Sequence, residues 1–147
     1  MSSTDAWAVG NARNPTTGAA VTVTLRWDGS GWTRVASPNP AGRTTSSDSN
    51  FLDGVSALSA TDAWAVGDYT SNGVASARTS LIVHWNGTSW TRVASPSPGG
   101  NPLGTILDGV SVTSATQAWA VGEYSVPTQS TDDSLVLHWN GTSWSKV

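Results

Sequence analysis

Cysteine is absent from all 147 residues, so no disulfide staples the chain and no thiolate holds a metal in it. A chain without cysteine fits any redox compartment. Positive charge is also scarce. Lys146 is the one lysine, six arginines are scattered, and the formal net charge is −3. That balance excludes the basic stripe that tracks a phosphate backbone, so no nucleic-acid partner is expected. No apolar run approaches the ~20 residues that cross a bilayer as a helix, and no membrane insertion is expected. Met1-Ser2-Ser3 is neither a charged nor an apolar leader, so no signal peptide is expected in this segment. No window carries a 3.6-residue apolar period, which removes amphipathic helices from consideration. Charged residues make up only 12% of the chain, a composition that, with its plentiful Ser, Thr and Gly, matches secreted or cell-surface bacterial β-proteins.

Tryptophan is what the chain has in quantity. There are nine, and all fall in two repeated markers. The first reads Ala-Trp-Ala-Val-Gly and carries Trp7, Trp64 and Trp119, spaced 57 and 55 residues apart. The second is an aromatic hairpin: Trp27-Asp28-Gly29-Ser30-Gly31-Trp32, Trp85-Asn86-Gly87-Thr88-Ser89-Trp90 and Trp139-Asn140-Gly141-Thr142-Ser143-Trp144. A fixed period of this length is the signature of stacked repeats, each leaving an apolar face open until a neighbour covers it.

In the middle copy four strands are predicted: A over Leu52 to Ser59, B over Ala63 to Gly67, C over Ser80 to Trp85 and D over Trp90 to Ser95. Asn-Gly and Asp-Gly accept the positive φ of a tight hairpin and join C to D. Alternation along strand B puts Trp64 and Val66 on one face and Ala63 and Ala65 on the other. Large side chains of one unit are therefore expected to enter the shallow face of the next. On this reading Trp7, Trp64 and Trp119 are core. Trp32, Trp90 and Trp144 lock the hairpins against the adjacent unit, and Trp27, Trp85 and Trp139 are candidate stacking platforms.

The expected fold is all-β: a β-propeller of four-stranded antiparallel blades, about three per chain. Residues 1–37 form a partial first blade lacking its innermost strand, 38–95 the second and 96–147 the third. Propellers close with 4–8 blades, so three cannot make a ring. Either a homo-oligomer completes it, most simply a dimer with six blades, or the chain is an excised segment of a longer protein. The long B–C and D–A loops all fall on one face, the default place for function.

The order Leu-Asp-Gly-Val-Ser, Ala-Trp-Ala-Val-Gly, Trp-Asn-Gly-Thr-Ser-Trp resembles Asp-box (BNR-type) β-propeller repeats, and propeller-type photosystem assembly factors have a similar Gly-Trp-Ala-Val-Gly strand. The hairpin from Trp27 to Trp32 is similar to that of small oligomeric fucose-binding propeller lectins, whose resemblance implies sugar sites between blades. The expected function is a non-enzymatic scaffold for binding or assembly through oligomerisation. A lectin with weak multivalent sites between blades is the alternative, with glycans as partners. An Asp-box glycosidase is the third class, disfavoured because Arg26, Arg34, Arg78 and Arg92 make no constellation.

The ligand-binding candidates are Asp68, Tyr69, Glu123 and Tyr124 at the starts of the B–C loops, where an acid beside an aromatic suits a sugar hydroxyl and ring face. His84, Trp85, His138 and Trp139 join them from the hairpin ends. The histidines recur at repeat-equivalent positions, where the first copy has Arg26, and this favours a structural role over catalysis. Asp53 and Asp108 are expected at the mouth of a central channel or as loop caps. No catalytic residue, metal ligand or cofactor is expected.

Overall fold

The computed structural model describes residues 5–70, 78–99, 104–126 and 131–147, and all regular structure among them is β. Met1 to Thr4 and the centres of the long loops expected at 68–79, 95–105 and 123–133 lie outside the described residues.

Three antiparallel sheets follow one another along the chain. The first contains β1 (Ala6–Arg13), β2 (Ala20–Trp27) and β3 (Trp32–Val35). The middle sheet contains β4 (Ser49–Asn50), β5 (Gly54–Ser59), β6 (Asp62–Thr70), β7 (Thr79–Trp85) and β8 (Trp90–Val93). The third contains β9 (Thr105–Ser114), β10 (Gln117–Tyr124), β11 (Asp133–Trp139) and β12 (Trp144–Lys146). The first sheet has no counterpart of β5 or β9 among the described residues.

Each hairpin closes as its turn chemistry dictates. Gly29, Gly87 and Gly141 adopt φ of 97°, 95° and 95°. The preceding Asp28, Asn86 or Asn140 accepts backbone N–H bonds two and three residues on through its side-chain oxygen. Three hydrogen bonds converge on the Asp28 carboxylate, the Ser30 hydroxyl first among them, and hold its pKa down at about 2.

The inner strand differs from its expected form. It starts at Ser49 rather than Leu52 and is interrupted, with β4 and β5 both pairing to β6. Phe51 N–H donates to Asp68 O and Asp53 N–H to Val66 O, so the break is a one-residue excess over β6. In the third sheet the register shifts between Val121↔Gly109 and Gly122↔Leu107, leaving Asp108 as the unpaired residue of a bulge. Asp53 is its counterpart.

The sheets stack by joining unlike faces. Trp7 of β1 enters a cluster with Ala63, Ala65, Leu81, Val83, Trp85 and Trp90 of the middle sheet. The opposite face of β6 and β7, with Trp64, Val66 and Ile82, enters a cluster with Ala118, Ala120, Leu135, Leu137 and Trp144 of the third. Both faces of the middle sheet are thereby buried, as the Ala/Trp alternation predicts. Ser56 Oγ accepts the Val112 N–H at 3.1 Å across the second joint. Near it Gly54 leaves room for close approach to the inner strand of the third sheet: a Cβ there would lie 3.0 Å from Asp108 O and Gly109 Cα.

Candidate functional site

Two surfaces carry candidate function: the ends of the stack, and the rim where the long loops leave the sheets.

The ends follow from the joint between sheets. In the first joint Trp7 lies 4.9 Å from both Trp85 and Trp90, centroid to centroid. In the second, Trp64 lies 4.9 Å from Trp139 and 5.4 Å from Trp144. One indole thus docks on a pair of indoles supplied by the next hairpin. The docking ring is backed from its own sheet. His84 stacks on Trp64 at 4.3 Å, and its Nε2 meets Asp62 Oδ1 at 2.9 Å. Arg26 fills the same place in the first sheet, 5.7 Å over Trp7 and tied to Asp5 at 3.1 Å. In the third sheet His138 lies 4.4 Å from Trp119 and its Nε2 meets Gln117 Oε1 at 2.7 Å. These contacts explain why a cation or imidazole recurs at this position: each orients a docking tryptophan.

The third copy of this arrangement faces outward. Trp119 is 41% exposed and Val121 47%, whereas Trp64 and Val66 are 3% and 0%. The expectation that Trp119 is core is therefore corrected: its sheet is the last described, and no further sheet covers that face. At the opposite end Trp32 is 51% exposed while its counterparts Trp90 and Trp144 are 5% each.

The loop rim holds a buried charge. Asp68 is fully buried in β6, and its Oδ2 accepts from Arg78 Nε at 2.9 Å while Oδ1 has no partner among the described residues. Burial raises its pKa from 3.8 to about 6; Arg78 opposes the shift, and Asp53 and Asp108 add to it. Asp53 is raised as well, by burial and then by Asp108, so the two bulge carboxylates lie within electrostatic reach of each other.

The remaining candidates are distributed between two rims. Tyr69 Oη accepts from Arg92 Nη2 at 2.9 Å, with the guanidinium 4.8 Å over its ring. Tyr124 Oη accepts from Lys146 Nζ at 2.6 Å and donates to Asp133 at 3.3 Å. Glu123 is exposed on β10. Trp85 is buried and donates its indole N–H to Ala60 O at 3.1 Å; Trp139 makes the equivalent bond to Ala115 O. Along β6 the register sets Asp68 opposite Ser80 but Trp64 opposite His84, so Asp68 and Tyr69 are four or more residues from the His84–Trp85 end. At about 3.3 Å per residue that separation exceeds 10 Å. The eight candidates are not gathered in one pocket.

A groove of about 490 Å³ on the first sheet contains none of them. Arg13, Arg34 and Arg43 line it with Val21, Thr22 and Asn39, and no carboxylate is among the lining residues. Each guanidinium donates to a backbone carbonyl, Gly18, Thr22 and Ser37 respectively. No ion pair among the described residues holds any of the three. The group has no signature in the sequence, because its members come from β1, β3 and the following loop. Their meeting depends on where that loop folds back. Among the described residues no group of His, Cys, Asp or Glu is arranged to hold a metal ion. Comparison with protein-family models finds no matching family, and comparison with curated proteins finds no match.

Proposed function

We propose that the chain is a non-enzymatic β-propeller module whose work is assembly: its three sheets are blades, and further blades complete a ring around them. The observation that carries this reading is the uncovered Trp119–Val121 face of the third sheet. On the same face of the two earlier sheets Trp7, Trp64 and Val66 are buried and Val9 is half-buried. Large apolar patches left open at a repeat terminus mark interaction surfaces. Two chains give six blades, within the range in which propellers close. Light scattering on a sizing column tests it. The expected particle is about 30 kDa, twice the 15.2 kDa chain. A folded monomer at every concentration removes the assembly reading.

A second reading, a carbohydrate-binding lectin, draws support from the arginine groove. Its volume suits a small ligand, and its guanidinium groups suit a sugar carboxylate. The measurement is titration calorimetry with glucuronate against glucose. Binding of glucuronate alone, weakened by Arg34→Ala, is the expected outcome; equal heats for the two sugars remove the carboxylate role of the arginines, and no heat with either removes the lectin reading of this groove.

A further inference from the structure

The two open ends are the two halves of one joint. In the middle and third sheets the receiving pair has a constant geometry: Trp85–Trp90 at 5.9 Å and 47°, Trp139–Trp144 at 5.9 Å and 43°. The first sheet holds the same pair, Trp27–Trp32 at 5.7 Å and 50°. The docking half is equally preformed in the third sheet, where the Trp119–His138 contact of 4.4 Å and 35° reproduces Trp64–His84 at 4.3 Å and 30°. Flanking positions match too. Ala6, Ala8 and Leu25 lie in register on the face that carries Trp27, as Ala63, Ala65 and Val83 do beside Trp85. Neither half needs to rearrange before docking, which lowers the ordering penalty of association.

We infer that Trp119 of one copy docks on the Trp27–Trp32 pair of a second copy, with Val121 against Ala8 and Leu25, forming a head-to-tail joint of the kind found twice within the chain. This deepens the assembly reading and rests on it. The occupant is a second copy of this chain because both complementary surfaces are present on it, each at an end. The joint is heterologous: the surface given differs from the surface received. A two-fold contact, in which each copy offers the same patch, would instead set Trp119 against Trp119 and leave Trp32 exposed.

Complementation between variants tests the joint. Trp119→Ala removes the docking ring and leaves the receiving pair; Trp32→Ala does the reverse. Both positions are substantially exposed in the single chain, and circular dichroism with thermal melts checks that each variant folds. Each alone is expected to self-associate at least about 30-fold more weakly, as for truncation of a central interface tryptophan. An equimolar mixture is expected to recover a particle of about 30 kDa, because the mixed pair keeps one intact heterologous joint. Leu58→Ser, an exposed apolar change elsewhere, is the control and is expected to associate as the unchanged chain does. If both tryptophan variants dimerise normally, or if mixing restores nothing, the joint is wrong while self-association stands. If the unchanged chain is a monomer at every concentration, both ideas fall.

Discussion

Gly10, Gly67 and Gly122 occupy the same place in the three repeats, yet alanine at Gly10 meets different surroundings from alanine at the other two. A Cβ on Gly67 runs into the carbonyl oxygen of Phe51 and lies 2.9 Å from Leu52 Cα; on Gly122 it meets Ile106 O and lies 2.8 Å from Leu107 Cα. In both sheets the obstacle is backbone at the bulge of the inner strand, which cannot swing aside as a side-chain tip does. On Gly10 nothing among the described residues lies within 4 Å, and the first sheet has no such strand among them. None of the three has a positive φ, so the difference is steric and not torsional. Overpacking of this kind costs about 3 kcal/mol, at the upper end of the usual range because backbone must move. With an unfolding entropy of about 2.1 cal/mol/K per residue, that is a fall in Tm of about 10 °C for this chain. Gly10→Ala is expected to be neutral, or stabilising by about 0.5 kcal/mol through the unfolded state. Thermal and urea melts of the three variants side by side are the assay. Equal melting of all three would refute the argument that the inner strand imposes glycine.

Two further outcomes are expected. The Asp68 carboxyl holds its proton to about pH 6 when folded and to 3.8 when unfolded, so its contribution to stability is complete below pH 3.8 and lost as pH rises through 6. The loss is about 3 kcal/mol, and Asp68→Asn should flatten the pH 4–7 stability profile by that order in urea melts; an unchanged slope would refute the assignment. Trp64→Ala should destabilise the chain by about 3–5 kcal/mol, whereas Trp119→Ala, measured at concentrations too low for association, should change it by less than about 1 kcal/mol. Equal losses in chemical denaturation would contradict the different burial of the two rings.

Much of this fold was legible in the sequence because repetition supplies its own control. The Ala-Trp-Ala-Val-Gly strand gave both its period and its two unlike faces, and the hairpins carry the residues their turns require. Position within the stack was not legible. Trp64 and Trp119 sit in nearly identical local sequences, and only the presence or absence of a following sheet decides whether the ring is covered. The outer part of the inner strand, β4, is not legible because Phe51-Leu52-Asp53 interrupts the alternation with a bulge, and a bulge leaves no signal in a period-two pattern. Asp68 reads as the opening of a loop, yet β6 continues through it to Thr70, and Arg78, ten residues on, provides the partner that makes its burial tolerable. The arginine groove depended on the path of a loop that no local rule specifies.

Every sheet turns its docking face, the one that bears Trp7, Trp64 or Trp119, in the same direction, and this polarity bears on how the gene can change. A duplicated 55-residue period inserted within the chain brings one docking face and one receiving face, so it joins both neighbours and leaves the two outer surfaces as they were. Loss of a whole period is equally silent at the ends. Gain or loss of part of a period leaves a face without its complement. The number of units can thus drift by whole steps under recombination, while the boundary at which a unit is cut is held fixed by packing.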